Sequence, residues 1–260
     1  VLGEAEAMSG EAHSRAYLGL PGQQEDLLRA VAGTGKPLVV VLMCGRPLII
    51  PWVAENVGAI LLAWHGGIRS GQAVADLLVG NANPSGKLTA SWPRALGQVP
   101  IYYARKNSGR PAGGLGTLQF NLVHRTSFID ESNEPLFPFG YGLSYSEFTY
   151  SDLDVTPPQE MEGTLIVSAE IANSGSVPGE EIVQLYVRDL VGEVTRPVKE
   201  LKGFQRVALA PGESKRVTFE VPVSELGFHG LDMVYKVEPG EFKVWVGPDS
   251  GRGLEGEFTL

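Results

Sequence analysis

The chain has 260 residues, of which 43% are hydrophobic and 20% charged, and its net charge is −9. This is globular composition, long enough to bury a core without disulfides or metals as one large domain or two ordinary ones, and it excludes a disordered chain. No apolar run approaches the ~20 residues of a membrane-spanning helix, and the acidic balance argues against a nucleic-acid binder that relies on a broad basic surface.

The chain opens on Val1-Leu2-Gly3-Glu4, which reads as the tail of a core strand already under way, so an N-terminal portion is expected before it. Residues 23–31 carry apolar side chains at helical spacing behind Pro21-Gly22. Residues 38–43 form a short, β-branched apolar run between Pro37 and Gly45, the pattern of a strand covered on both faces in a parallel sheet. A short helix is expected over 52–56, a second buried strand over 59–64 and a helix over 71–79. Cys44, the one cysteine, sits in the first apolar run and reads as a small buried hydrophobe, not a nucleophile. Ligands of open parallel sheets bind beyond the carboxyl ends of the strands. Chemistry in this half is therefore expected in residues 3–15 and 64–71.

Residues 81–150 are irregular and rich in Pro, Gly and Tyr, and read as an aromatic-rich connector packed between two domains. From about residue 151 the texture changes. Runs at 165–171, 182–187, 215–221 and 241–246 are β-rich and separated by turn signals such as Asn173-Ser174-Gly175 and Ala210-Pro211-Gly212-Glu213. Such spacing predicts an immunoglobulin-like sandwich, with Phe204, Phe242 and Trp245 in its core. The chain divides into a partial α/β sandwich at 1–112, a connector at 113–150 and an all-β sandwich at 151–260. With one Cys and four scattered His, no zinc-like spacing exists, and no phosphate loop or nucleophile elbow is present. Neither metal nor cofactor is expected.

Longer motifs carry a resemblance. Glu11-Ala12-His13-Ser14-Arg15 with Leu18-Gly19-Leu20-Pro21-Gly22-Gln23 resembles the loop-and-helix entry of the second domain of glycoside hydrolase family 3. Asn83-Pro84-Ser85-Gly86-Lys87-Leu88 with Trp92-Pro93-Arg94 resembles a later turn of that domain, and Phe137-Pro138-Phe139-Gly140-Tyr141-Gly142-Leu143-Ser144-Tyr145 its most distinctive signature. Arg196-Pro197-Val198-Lys199-Glu200-Leu201-Lys202-Gly203-Phe204 and Glu238-Pro239-Gly240-Glu241-Phe242 are similar to the family's fibronectin type III-like module. The resemblance runs in order over essentially the whole chain and is nearest to periplasmic bacterial β-glucosidases.

It implies an α/β layered sandwich with a mostly parallel sheet, truncated at its N-terminus, followed by a fibronectin type III-like sandwich. It also implies retaining hydrolysis of a β-linked glucoside or oligosaccharide, a periplasmic or secreted location, and an N-terminal (β/α)8 barrel, in cis or in trans, that supplies the nucleophilic aspartate. Two carboxyl groups roughly 5 Å apart are required for that chemistry.

The resemblance places the family's acid/base glutamate in the loop Trp64-His65-Gly66-Gly67-Ile68-Arg69-Ser70-Gly71, on the position held by Arg69 or, with the loop shifted by one, by Ser70, and neither can serve. Arginine stays protonated and cannot donate and recover a proton near neutrality. Glu4, Glu6 and Glu11 are the candidate substitutes. Glu11, Arg15, Trp64 and His65 are the candidate substrate contacts, with Glu11 and Arg15 spaced for an i,i+4 ion pair if helical. Tyr102, Tyr103, Asn107 and Arg110 resemble a rim loop, and Ser127 stands where the family carries an arginine–aromatic pair. The chain is read as inactive alone. The alternative is a stand-alone, non-catalytic carbohydrate-binding or protein-interaction module derived from such an enzyme. An open sheet edge predicts self-association.

Overall fold

The computed structural model describes residues 1–108 and 126–260. The expectations for Arg110 and for the first part of the connector lie outside the described residues.

The first half contains β1 (Leu2–Gly3), α1 (Gln24–Ala32), β2 (Val39–Met43), α2 (Pro51–Asn56), β3 (Ala59–Leu62) and α3 (Ser70–Leu78). The strands form a parallel sheet in the order β1-β2-β3. Central β2 buries Val40, Val41 and Leu42, as a continuous apolar run in a covered sheet should. The 59–64 run was expected to be buried as well, but β3 stops at Leu62 and is only half-buried, because it lies at the edge of this sheet. Pro51 opens α2, where its missing N–H costs nothing. Glu25 and Asp26 occupy the first turn of α1 and Arg29 its last, each on the favourable end of the helix dipole.

The core of this half joins Leu28, Val40, Leu42, Cys44, Leu48, Ile50, Val53 and Trp92. Trp92 brings its polar edge into the core satisfied, its indole N–H donating to the Leu48 carbonyl at 2.6 Å. Cys44 has no solvent exposure, and burial is the largest of the effects that push its thiol up to about 11 from 9.0. The unfolded chain then ionises first as pH rises. The contribution of this thiol to stability is complete below about pH 9 and is lost between 9 and 11. Tyr150 and Tyr186, whose phenols are also raised by burial, act with the same sign above pH 10. Denaturant titrations at pH 8 and 10.5 are expected to show a fall in stability that is smaller, though not absent, in Cys44→Ala. An identical fall in the two proteins would contradict this.

The second half is a sandwich. One sheet contains β4 (Phe148–Thr156), β5 (Thr164–Asn173) and β8 (Ser214–Pro222), in the order β4-β5-β8. The other contains β6 (Gly179–Asp189), β7 (Glu200–Leu209), β11 (Glu241–Asp249) and β12 (Arg252–Thr259), in the order β12-β11-β6-β7. A short hairpin of β9 (Phe228–His229) and β10 (Tyr235–Lys236) lies between β8 and β11 in sequence. Alternate residues point inward: Leu165, Val167, Ala169 and Ile171 from β5 meet Val183, Leu185 and Val187 from β6 and Phe242, Val244 and Val246 from β11.

Two of the three expected core aromatics are corrected by that alternation. Phe242 is inside, but Trp245 has the opposite parity and lies on the outer face. There the Lys199 ammonium sits 4.4 Å from its ring centroid, and its indole N–H donates to Glu255 at 2.8 Å. On β7, Val207 and Leu209 face inward, which turns Phe204 outward, 67% exposed. Gly203 takes the inward position, where a Cβ would lie 2.9 Å from the Phe219 ring.

The Phe137–Tyr145 motif joins the two halves. The Trp92 N–H donates to the Phe137 carbonyl at 2.8 Å, and the Gly140 N–H to the Leu88 carbonyl at 2.7 Å. Gly140, at φ +82°, has Gln184 so close that a Cβ would lie 2.1 Å from its Oε1. Asn83 ties the end of this strap to the sandwich through both ends of its amide. Its Oδ1 accepts from Ser144 Oγ (2.8 Å) and the Tyr145 N–H (2.9 Å), and its Nδ2 donates to Ser146 Oγ (2.8 Å) and the Pro178 carbonyl (2.9 Å). Lys87 reaches the sandwich through an ion pair with buried Glu181 at 3.1 Å, and the Tyr150 hydroxyl donates to the same carboxylate at 2.8 Å. Tyr103 stacks on Phe139 at 4.4 Å and meets the edge of Tyr186 at 5.7 Å.

Candidate active-site loops

The carboxyl ends of β1, β2 and β3 carry three loops that close on one another. Their centre is Glu4. Its N–H donates to the Met43 carbonyl at 2.8 Å, extending the β1–β2 ladder by one residue and delivering the side chain between the loops. That side chain is fully buried. Oε1 accepts from Arg15 Nη1 at 2.8 Å and lies 3.1 Å from Arg46 Nε, while Oε2 accepts from Arg46 Nε and the Gly45 N–H, both at 3.3 Å. Each guanidinium has a further use: Arg15 Nη2 donates to the Gly19 carbonyl at 3.0 Å and Arg46 Nη2 to the Met8 carbonyl at 2.5 Å. A carboxylate taken out of water needs this density of charged donors to offset its desolvation. Gln24, at the start of α1, fixes the strand end behind it, bonding the Gly3 N–H and carbonyl at 2.8 and 2.9 Å.

The second loop passes through Gly45. A Cβ there would lie 2.0 Å from Ser9 Oγ and 2.9 Å from His65 Nε2, so the missing side chain lets all three loops converge. The third begins at Trp64, which adopts φ +46°, an unusual backbone for a bulky residue. Its ring packs on Trp92 with centroids 5.9 Å apart at 49°. His65 is exposed beside it. Arg69 is exposed at the N-cap of α3, and its guanidinium makes no ion pair or hydrogen bond among the described residues.

The structure thus brings together Glu4, Arg15 and His65, with Trp64 adjoining, and leaves Glu6 and Glu11 outside. Glu6 lies exposed in a single 3-10 turn, Glu6–Met8, and Glu11 is exposed in an irregular segment. The i,i+4 ion pair of Glu11 and Arg15 does not form. Gly10 at φ +117° and Ala12 at φ +62° prevent a helix, and Arg15 turns to Glu4 instead. Arg46 and Gly45 were missed by sequence reasoning, which followed the loops after the first and third strands only, and Ser9 was not singled out within the first of them. Applying the strand-end rule to Cys44-Gly45-Arg46 would have found the second loop. Among the described residues no group of three or more His, Cys, Asp or Glu could hold a metal ion.

Residues 1–145 match the glycosyl hydrolase family 3 C-terminal domain and residues 181–250 a fibronectin type III-like domain. The chain belongs to glycosyl hydrolase family 3. It is similar to the periplasmic beta-glucosidase of Salmonella typhimurium, at 43% identity over 261 residues, covering 100% of this chain and 34% of the relative. A beta-xylosidase of Formosa agariphila is 45% identical over 252 residues, 96% of this chain and 33% of the relative. The crystal structure of a beta-glucosidase from Listeria innocua in complex with glucose superimposes with a TM-score of 0.90 at 40% identity, over 99% of this chain and 35% of that one. The chain spans about a third of the length of these relatives.

Proposed function

We propose that this chain is the C-terminal part of a β-glucosidase-type glycoside hydrolase that cleaves β-linked glucosides or oligosaccharides together with a (β/α)8 barrel supplied in cis or in trans. The observation that carries the reading is the convergence of three strand-end loops around Glu4, within the segment that matches the family's C-terminal domain. In this reading the loops complete a cleft whose other wall is the barrel. Trp64 offers an apolar ring face to a pyranose and His65 lines the same cleft, while Arg15 and Glu4 act as positioning residues. The similarity to a periplasmic enzyme supports a periplasmic or secreted location.

Glu4 is the least available of the three candidate proton donors, since both its oxygens are occupied by arginines and a backbone amide. Glu6 and Glu11 are exposed but lie outside the converged loops. Arg69, as an arginine, cannot serve as a general acid and base. With the nucleophile assigned to the barrel, the chain alone completes neither half of a retaining cycle. A second reading, a non-catalytic carbohydrate-binding or interaction module, is favoured by Arg69, and self-association through the open sheet edges would accompany it.

The complete protein, barrel included, is expected to hydrolyse an aryl β-glucoside or β-xyloside and to release the β-anomer first. Chromogenic assay with NMR of the first-formed sugar checks both points. Absence of hydrolysis on both substrates would sink the enzyme reading and leave the module.

A further inference from the structure

We propose a sugar-binding slot between Tyr17 and Trp52 that takes a neutral pyranoside. An open cleft of about 380 Å³ lies there, between the loop after β1, the approach to α2 and the flank of α1. It is within the range of ligand pockets, about 300–1,000 Å³. Its frame is held from both sides. The Ile49 N–H donates to the Leu18 carbonyl at 2.8 Å, joining the two backbone walls, and Arg15 ties the neighbouring Gly19 carbonyl to the Glu4 cluster. A slot fixed in this way loses little freedom when a ligand enters.

The lining selects the ligand. Ile49 and Leu18 give an apolar floor. Tyr17 stands at the mouth and is 83% exposed. The Arg29 guanidinium lies 4.3 Å from the Trp52 ring centroid and is held there by Glu25 Oε1, at 3.1 Å from Nε and 2.5 Å from Nη2. The remaining oxygen of Glu25 accepts no hydrogen bond among the described residues. A cationic ligand is disfavoured because Arg29 already occupies a ring face. An anionic one is disfavoured because the Arg29 charge is balanced by Glu25 and the whole chain carries −9. A pyranose satisfies both ends of the slot. Its C–H face suits the Tyr17 ring and the aliphatic walls, and its hydroxyls can bond at once to the open Glu25 oxygen and to the edge of the Arg29 guanidinium. The choice of β-glucosides as probes rests on the function proposed above, whereas the preference for a neutral pyranoside does not.

The test is a calorimetric titration of the 260-residue chain with cellobiose, laminaribiose and, as an anion, glucose 6-phosphate. Saturable binding of at least one disaccharide in the millimolar range is expected, with none of the phosphate. Tyr17→Ala, which alters an exposed side chain, and Glu25→Gln are each expected to weaken binding about tenfold or more, whereas Phe204→Ala, on the outer face of the distant sandwich, is expected to leave it unchanged. No saturable disaccharide binding, equal binding by Tyr17→Ala, tighter binding of the phosphate, or loss of binding in Phe204→Ala would each overturn the slot. Hydrolysis by the complete protein with a silent slot would fail this inference alone. Binding in the slot without any hydrolysis would fail the enzyme reading alone.

Discussion

In the protein completed by its barrel, Arg69→Glu is expected to raise kcat on glycosides with poor leaving groups by about 10²–10⁴-fold, the usual contribution of a general acid. An alkoxide leaving group departs only if it is protonated as the bond breaks, and a guanidinium, which stays protonated, does not give up a proton at working pH. A nitrophenolate leaves without that help, so its rate should hardly change. The variant should therefore flatten the dependence of rate on leaving-group basicity, and a series of aryl and alkyl β-glucosides measures it. Arg69 is exposed and its guanidinium makes no ion pair or hydrogen bond among the described residues, so its replacement leaves the fold intact. An unchanged series would place the proton donor elsewhere, with exposed Glu6 and Glu11 the first residues to substitute.

Glu4→Ala is expected to destabilise the chain by about 3 kcal/mol, at the lower end of what removing one partner from a buried ion pair costs. The reason lies in what is left behind. Arg15 and Arg46, with side chains 17% and 21% exposed, would face each other across an empty site, and the Gly45 N–H would lose its acceptor. The melting temperature should fall by roughly 6–12 °C for a chain of this size. Glu4→Gln keeps the shape and should fall between wild type and Glu4→Ala. A loss below about 1 kcal/mol in the alanine variant, the range of a surface pair, would show that the cluster does not hold the loops.

Much of this fold is written in local pattern. The run at 38–43 announces β2 because a strand covered on both faces has to be continuously apolar, and the turn signals at 173–175 and 210–213 fall between sandwich strands because glycine and proline end them. What was misread depends on partners distant in sequence. Phe204 points outward because Gly203 leaves its space to Phe219, and hydrophobicity alone does not reveal parity. β3 is half-buried because it has a neighbour on one side only among the described strands. At the site, Arg15 was singled out, but its partner is Glu4, eleven residues back, and not Glu11. Helical spacing could not predict that pairing in a segment turned by Gly10 and Ala12. Arg46 joins through a contact 42 residues away in sequence, a distance at which spacing carries no signal.

The most direct test of a catalytic site divided between two bodies is the turnover of 4-nitrophenyl β-glucoside by the purified 260-residue chain, alone and joined to the barrel. The account predicts no nitrophenol release above background from the chain alone and measurable release once the barrel is present. Steady turnover by the isolated chain, in a preparation free of any barrel-containing protein, would contradict it.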